Sequence, residues 1–327
     1  MCGIFAVVND KSSNAGRRAY EGLKRLEYRG YDSWGLAIQD GKKIRVTKEV
    51  GKIGDLISLN GLAKSTTAIA HTRWATTGGV TQTNAHPHYS SDKSFVLAQN
   101  GIVENYTDLK KNLLQKGHTF ISETDTEVIV RLIEDERKKT KDLLTAVRLA
   151  FLKLEGRNTI IILTNKENEI IAARNGSPLV IGMDRDKEKM YLSSDVLSFA
   201  PWSDKTVVVE NGQIVHVRDK KIEIFDIQSG NNTSYSFEKL QLQNNRVDKE
   251  GYAHFMLKEI HESSFVIDQL TRQEKQLYEK LAKQIKKSTH VYCIGSGTAG
   301  IAAAQIAFYL RDIAKINAVG LVGADAR

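Results

Sequence analysis

Cys2, followed by Gly3 and Ile4, brings a thiol and, once Met1 is removed, a free α-amine into one residue. An α-amine titrates near about 7.7–8.0, so at neutral pH a sizeable fraction is unprotonated and able to take the proton of the adjacent thiol. That pairing is a nucleophile carrying its own general base. The competing reading makes Cys2 the small apolar start of the strand Cys-Gly-Ile-Phe-Ala-Val-Val, because free cysteines are often buried and inert. Asn100-Gly101 offers a side-chain amide and a backbone N–H of the kind that stabilise an oxyanion, or else a turn closing the strand before it. His86-Pro87-His88 invites a metal reading, but no nearby cysteine or carboxylate completes three or four ligands, and ordering of a loop is the better account. Gly295-Ser296-Gly297-Thr298-Ala299-Gly300 lies between a strand and a helix, where backbone N–H groups suit a phosphate. It is a poor dinucleotide fingerprint.

The elements that must hold these residues read in two styles. Up to about Ile227, strands are expected at 2–8, 34–39, 44–48, 67–71 and 95–99. A second series follows at 158–164, 169–173, 179–182, 189–193, 205–209, 213–217 and 222–227, with Asn211-Gly212 marking a hairpin. Apolar spacing predicts helices over 15–27, 106–116, 126–137 and 141–154, with Thr107-Asp108 and Asp125-Thr126 as polar caps. Two runs of strands with helices between them predict two sheets packed face to face and helices outside. Around 228–250 the chain turns polar and turn-rich, as a linker does. Beyond it, helices at 252–269 and 273–287, strand 289–294, helix 299–312 and strand 316–322 open an α/β domain with a parallel sheet. That sheet has too few strands to bury both faces, so more chain or a partner is expected to finish it.

Composition narrows the class. The chain has 327 residues, enough for about two domains, and its 41% hydrophobic and 26% charged residues are ordinary for a globular protein. No stretch approaches the roughly 20 apolar residues of a membrane helix, and the N-terminal apolar run lacks a basic leader, so neither membrane nor secretion is expected. Cys2 and Cys293 form no disulfide or metal pattern, and a reducing cytoplasm fits. The net charge of +8 is scattered over predicted helices with acids interspersed, without a nucleic-acid motif, so no nucleic-acid partner is expected.

Five further segments accompany Cys2 in order: Arg25-Leu26-Glu27-Tyr28-Arg29-Gly30-Tyr31-Asp32-Ser33, His71-Thr72-Arg73-Trp74-Ala75-Thr76, Asn84-Ala85-His86-Pro87-His88, Gln99-Asn100-Gly101-Ile102-Val103-Glu104-Asn105, and Glu123-Thr124-Asp125-Thr126-Glu127. With them the chain resembles the class II glutamine amidotransferases, which are N-terminal-nucleophile hydrolases. Within these it is more closely similar to the glucosamine-6-phosphate synthase family, over essentially its whole length. The resemblance implies an α+β fold: a four-layer αββα sandwich, followed by the start of an α/β sugar-isomerase domain. It implies boundaries of 1–240 for the glutaminase, 241–250 for the linker and 251–327 for an incomplete isomerase domain.

The resemblance also implies roles. Cys2 would attack the side-chain amide of glutamine and form a glutamyl thioester, with Asn100 and the Gly101 N–H as oxyanion hole. Arg73 would clamp the substrate α-carboxylate and Asp125 would receive its α-ammonium; the latter residue reads equally as a helix cap. Thr76 would add a hydrogen bond, and the loop of Trp74 would close over glutamine with Gly78-Gly79 as a hinge. Arg29 would stabilise the thiolate, or else pair with Asp32 or Glu27. Ser296 and Thr298 would meet a sugar phosphate, and Cys293 would be inert core. No cofactor and no metal are implied. The partners implied are glutamine, fructose 6-phosphate in a complete enzyme, and a second copy of the chain through the isomerase domain.

Three departures stand out: Thr77 and Gln99 where relatives usually carry histidine, and Ala299 where they commonly carry serine. The segment Gly323-Ala324-Asp325-Ala326-Arg327 also matches the family poorly. The rival readings are an amidotransferase with another acceptor, such as a phosphoribosyl compound, and a catalytically silent glutamine or sugar-phosphate sensor.

Overall fold

Alternation along β1 (Gly3–Val8) sends Ile4, Ala6 and Val8 to one face and Phe5 and Val7 to the other, and all are buried. A strand buried on both faces must lie in the middle of a layered structure. The computed structural model describes residues 2–54, 64–140, 142–184, 186, 189–240, 250–272 and 274–323. In it β1 pairs antiparallel with β4 (Ala68–Arg73) on one side and β10 (Met190–Ser193) on the other. The eight-stranded sheet continues through β2 (Ser33–Asp40) and β3 (Lys43–Val50) at one edge. At the other it runs through β9 (Val180–Asp184), β11 (Ser203–Val208) and β14 (Glu238–Lys239).

The second sheet has six strands: β5 (His88–Tyr89), β6 (Phe95–Gly101), β7 (Asn158–Thr164), β8 (Glu169–Asn175), β12 (Gln213–Arg218) and β13 (Lys221–Asp226). Ile4, Ala6 and Ile69 of one sheet meet Val96, Ala98, Ile161 and Leu163 of the other in a single apolar core. The opposite faces are covered by helices. α1 (Ala15–Lys24) packs Ala19, Tyr20 and Leu23 against Phe5 and Val7. α2 (Tyr106–Gln115), α3 (Asp125–Arg137) and α4 (Leu143–Phe151) cover Phe95, Leu97, Ile160 and Ile162. The expected four-layer αββα sandwich is what forms.

Several local expectations need correction. The first helix stops at Lys24 instead of running to 27, because i→i−3 bonds from Leu26 N–H to Leu23 O and from Arg29 N–H to Leu26 O tighten the chain into a 3-10 turn, Glu27–Arg29. Asp125 is not the cap of α3. Thr124 is, accepting the Glu127 N–H, and Asp125 is the first helical residue. Nor do Thr107 and Asp108 cap α2, whose cap position is Asn105. That side chain bonds Lys153 O and Glu155 N instead. The two-residue strands β5 and β14 were too short for alternation to reveal.

The chain divides into two compact units, Met1–Asp248 and Lys249–Arg327. In the second, α5 (Phe255–Thr271) and α6 (Lys275–Lys287) precede the parallel pair β15 (Val291–Gly295) and β16 (Ala318–Val322), joined through α7 (Thr298–Asp312). Small residues let α7 lie close on the sheet: a Cβ on Gly320 would stand 2.7 Å from Ala304 Cα. Cys293 is half-buried on β15, not enclosed as expected. Phe265, Ile267, Tyr292, Ile301 and Ile313 are exposed. Among the described residues, no helix is long and apolar enough to cross a membrane. The expected linker over 241–250 falls almost wholly outside the described residues, as do Met1 and residues 324–327.

Candidate active site

Cys2 sits at the entrance to β1, at the end of the sandwich where Arg73 closes β4 and Gly101 closes β6. Its carbonyl oxygen accepts from two side chains, Asn100 Nδ2 at 3.1 Å and Arg29 Nε at 3.0 Å. One comes from the six-stranded sheet and one from the turn after α1, so the residue is pinned from both layers. The half-buried thiol faces the Trp74 backbone, whose N–H donates to Sγ at 3.3 Å. Burial pushes the thiol pKa up, and the Trp74 N–H together with the Arg73 and Arg29 charges offsets this only in part. Arg29 makes its short contact with the Cys2 carbonyl, while its charge acts on the thiol in the direction that favours the thiolate. Its ion pair is elsewhere than expected, with Asp195 at 3.8 Å. Tyr28 shares Asp195, donating its hydroxyl to Oδ2 at 2.6 Å. Glu27 instead accepts the Ile53 N–H, and Asp32 the Ala75 N–H.

A raised thiol pKa has a kinetic signature. Alkylation of Cys2 by iodoacetamide, followed in a Cys293→Ala chain that retains Met1, is expected to be still rising at about pH 8.5, the ordinary thiol value. A plateau already reached below neutral pH would mean that a stabilised thiolate is present.

Arg73 is buried at the end of β4, and its fork is ringed by loop carbonyls: Nη1 donates to Gly79 O at 3.0 Å, and Nη2 to Thr77 O at 2.6 Å and Gly78 O at 3.2 Å. Asn84 and Glu123 latch the same loop. Glu123 Oε2 accepts from Gly79 N–H and Asn84 Nδ2, while Asn84 Oδ1 accepts the Glu123 N–H. Gly78 allows the bend with φ +79°. Trp74 is 45% exposed and stands edge-on to Tyr31, their rings 5.5 Å apart. Thr76 is exposed on this loop.

Asp125 is buried at the start of α3, with Oδ2 accepting the Val103 N–H at 2.8 Å. Burial raises its pKa, opposed by that N–H and by the Arg73 charge. Cys2, Asn100, Gly101, Arg29, Arg73, Trp74 and Asp125 thus gather at one end of the sandwich. Ser296 and Thr298 belong to the second unit, both exposed around the start of α7, where Gly297 turns with φ +58°.

Behind this group lies a layer in which sequence reasoning assigned a loop-ordering role to His86 and His88 but none to His71. His71, His86 and His88 are fully buried side by side, with ring centroids 4.3 Å and 5.1 Å apart. Burial pushes the His71 pKa down to about 3 and holds the other two well below the ordinary histidine value. Among the described residues no group of three or more His, Cys, Asp or Glu is placed to hold a metal ion. His86 and His88 spend their Nε2 atoms on Thr126 and Thr124, at 3.0 and 3.1 Å, binding their loop to the start of α3. An inward-facing polar position on a strand was the only signal available for His71, and Asp195 carried none.

A glutamine amidotransferase domain family matches residues 71–201. The glutamine–fructose-6-phosphate aminotransferase (isomerizing) of Francisella tularensis is 37% identical over 97% of this chain and 53% of its own. That of Bacteroides thetaiotaomicron is 44% identical over 80% of this chain and 43% of its own. The chain spans about half the length of these curated relatives. Among solved structures, the glutamine phosphoribosylpyrophosphate amidotransferase of B. subtilis, complexed with ADP and GMP, superposes with a TM-score of 0.61 at 27% identity. That match covers 70% of this chain and 50% of the other.

Proposed function

The chain belongs, through its first unit, to the class II glutamine amidotransferases, and from that premise we propose that it hydrolyses the side-chain amide of glutamine through a thioester on Cys2. The reading is carried by the convergence on Cys2, whose thiol meets the Trp74 N–H while its carbonyl is held by Asn100 and Arg29. With Met1 removed, the Cys2 α-amine takes the thiol proton as Sγ bonds to the amide carbon. The oxygen becomes an oxyanion facing Asn100 Nδ2 and the Gly101 N–H, preorganised donors of which each is worth about 3–4 kcal/mol in the transition state. The carbon–nitrogen bond then breaks and the proton leaves on ammonia. Water attacks the thioester, giving glutamate and the free thiol. The steps balance with glutamine, water and the thiol alone.

Arg73 and Asp125 supply the two ends of an amino-acid site, a guanidinium for the α-carboxylate and a carboxylate for the α-ammonium. The loop carbonyls already around Arg73 aim its fork, and Thr76 and Trp74 on the same loop close over the bound substrate. Ammonia is passed on to fructose 6-phosphate, a reading supported by relatives of that name whose likeness runs through both units. Ser296 and Thr298 then meet the sugar phosphate at the start of α7. The exposed apolar side chains of the second unit are read as the contact with a second copy.

The test is glutamate release from glutamine by the processed chain and by a form carrying uncleaved residues ahead of Cys2. The extended form is expected to lose activity to the assay background, since its base has become an amide. Equal rates for the two forms would overturn the terminal-amine mechanism.

A further inference from the structure

Asn100 can serve as an oxyanion donor only if its carboxamide is held the right way round. We infer that His71 is the positioning residue that holds it: an Nε2–H donated across the sandwich fixes Asn100 with its NH2 toward Cys2. The inference rests on the glutaminase reading and deepens it.

His71 lies on β4 of the eight-stranded sheet, paired with Ile4 and Gly35, and Asn100 lies on β6 of the other sheet. His71 Nε2 stands 2.9 Å from Gln99 O and 3.2 Å from Asn100 Oδ1. A carbonyl oxygen only accepts, so Nε2 carries the proton and its N–H forks between the two oxygens. Asn100 Oδ1 is thereby committed and Nδ2 points at Cys2 O, 3.1 Å away. Turning the amide over would set its NH2 against the His71 N–H and its oxygen against the Cys2 carbonyl, two repulsions for two bonds.

The adjoining residues form a network with a direction of its own. Gln99 N–H donates to His86 Nδ1, so His86 carries its proton on Nε2 and gives it to Thr126 Oγ1. The Thr126 hydroxyl proton goes to Gln99 Oε1, and Gln99 Nε2 donates to Asn158 Oδ1 at 2.7 Å. Gln99, one of the departures from the family pattern, thus ties β6 to the start of α3 and to β7 on either side of Asn100. His71 Nδ1 is buried and unpartnered, an expense that an apolar residue at this inward position would avoid. The role that remains for the imidazole is its Nε2–H.

Glutamine places its amide N–H where the His71 Nε2–H was, whereas asparagine places it near the Nδ1 position. Asparagine is also the smaller side chain. A role in packing alone would show as lower stability of His71→Asn in a melting curve, whereas a role in orienting Asn100 shows as a loss in kcat. His71→Gln and His71→Asn are therefore compared with the unaltered chain for kcat and KM in glutamate release, after circular dichroism has shown that both are folded. The expected result is kcat within about threefold of the unaltered chain for His71→Gln and lower by roughly 10²-fold for His71→Asn, with KM little changed in both. Equal kcat in the two variants would overturn the inference, as would a loss confined to KM. Nitrogen NMR of the unaltered chain gives a readout independent of turnover, the expected state being the Nε2–H tautomer of His71, and the Nδ1–H tautomer would overturn the assignment. An unaltered chain that releases no glutamate yet shows this tautomer would count against the proposed function and leave the orientation of Asn100 standing.

Discussion

Cys2→Ala lowers glutamate release by roughly 10⁴-fold or more, to the assay background, and leaves the thermal unfolding of the first unit unchanged within a degree or two. The split between the two effects follows from position. The residue precedes β1 and lies outside the strand's ladder, and the contacts that pin it to its neighbours, from Asn100 and Arg29, are made to its backbone carbonyl. Alanine keeps those and loses only the Sγ contacts with Trp74. A serine at the same place keeps a hydroxyl for the Trp74 N–H but exchanges a good nucleophile for a poor one, so it is expected to behave nearly as the alanine does. Stopped or continuous glutamate assays beside a melting curve check both halves. Residual turnover above about a hundredth of the unaltered rate would show that the bond is broken elsewhere.

Gly101→Ala damages both fold and chemistry. Gly101 ends β6 with φ +135°, a backbone region that side-chain-bearing residues rarely enter, and a Cβ there would lie 1.9 Å from Arg157 O. That oxygen is main chain just ahead of β7, fixed by the Ile102 N–H, and cannot swing aside. Strain of this kind with a backbone collision is expected to cost about 4 kcal/mol or more. For a domain of this size that is a fall in melting temperature of roughly 10 °C. Activity falls further than stability, because the displaced segment carries the Gly101 N–H and Asn100. Gly117→Ala is the control: φ is +84° there as well, but no atom lies within 4 Å of the added carbon. It is expected to lose only about 1 kcal/mol and no activity. Similar losses in the two variants would mean that backbone conformation, not the close approach to Arg157, sets the requirement for glycine.

The elements were legible where burial imposes a period. β1, β7 and β8 alternate between an inter-sheet core and a helix-covered face, and α3 presents Val128, Ile129 and Ile133 to the second sheet. Short ladders such as His88–Tyr89 have no period to read. Cap positions misled because Thr124 and Asp125 are both competent caps, and which one acts depends on where the first turn begins. The residues around Cys2 were legible as motifs because several chemical groups occur together within a few positions. What supports them was not. Arg29 had acidic neighbours in its own segment, but the fold hands it Asp195, and Glu123 latches to Asn84 across a sheet edge. Such pairings are set by topology, and local sequence contains no trace of them. His71 lay in plain view inside a motif, yet only the register of β4 against β1 and β2 shows that it faces inward, toward Asn100.

The most direct measurement is to trap the covalent intermediate. Glutamine is turned over in the presence of hydroxylamine, which intercepts a thioester as a hydroxamate, and acid-quenched samples are mapped by peptide mass spectrometry. The account predicts γ-glutamyl hydroxamate in solution and a glutamyl adduct confined to the peptide bearing Cys2, both vanishing in Cys2→Ala. Glutamate formed with no adduct and no hydroxamate, or an adduct that persists without the Cys2 thiol, would contradict it.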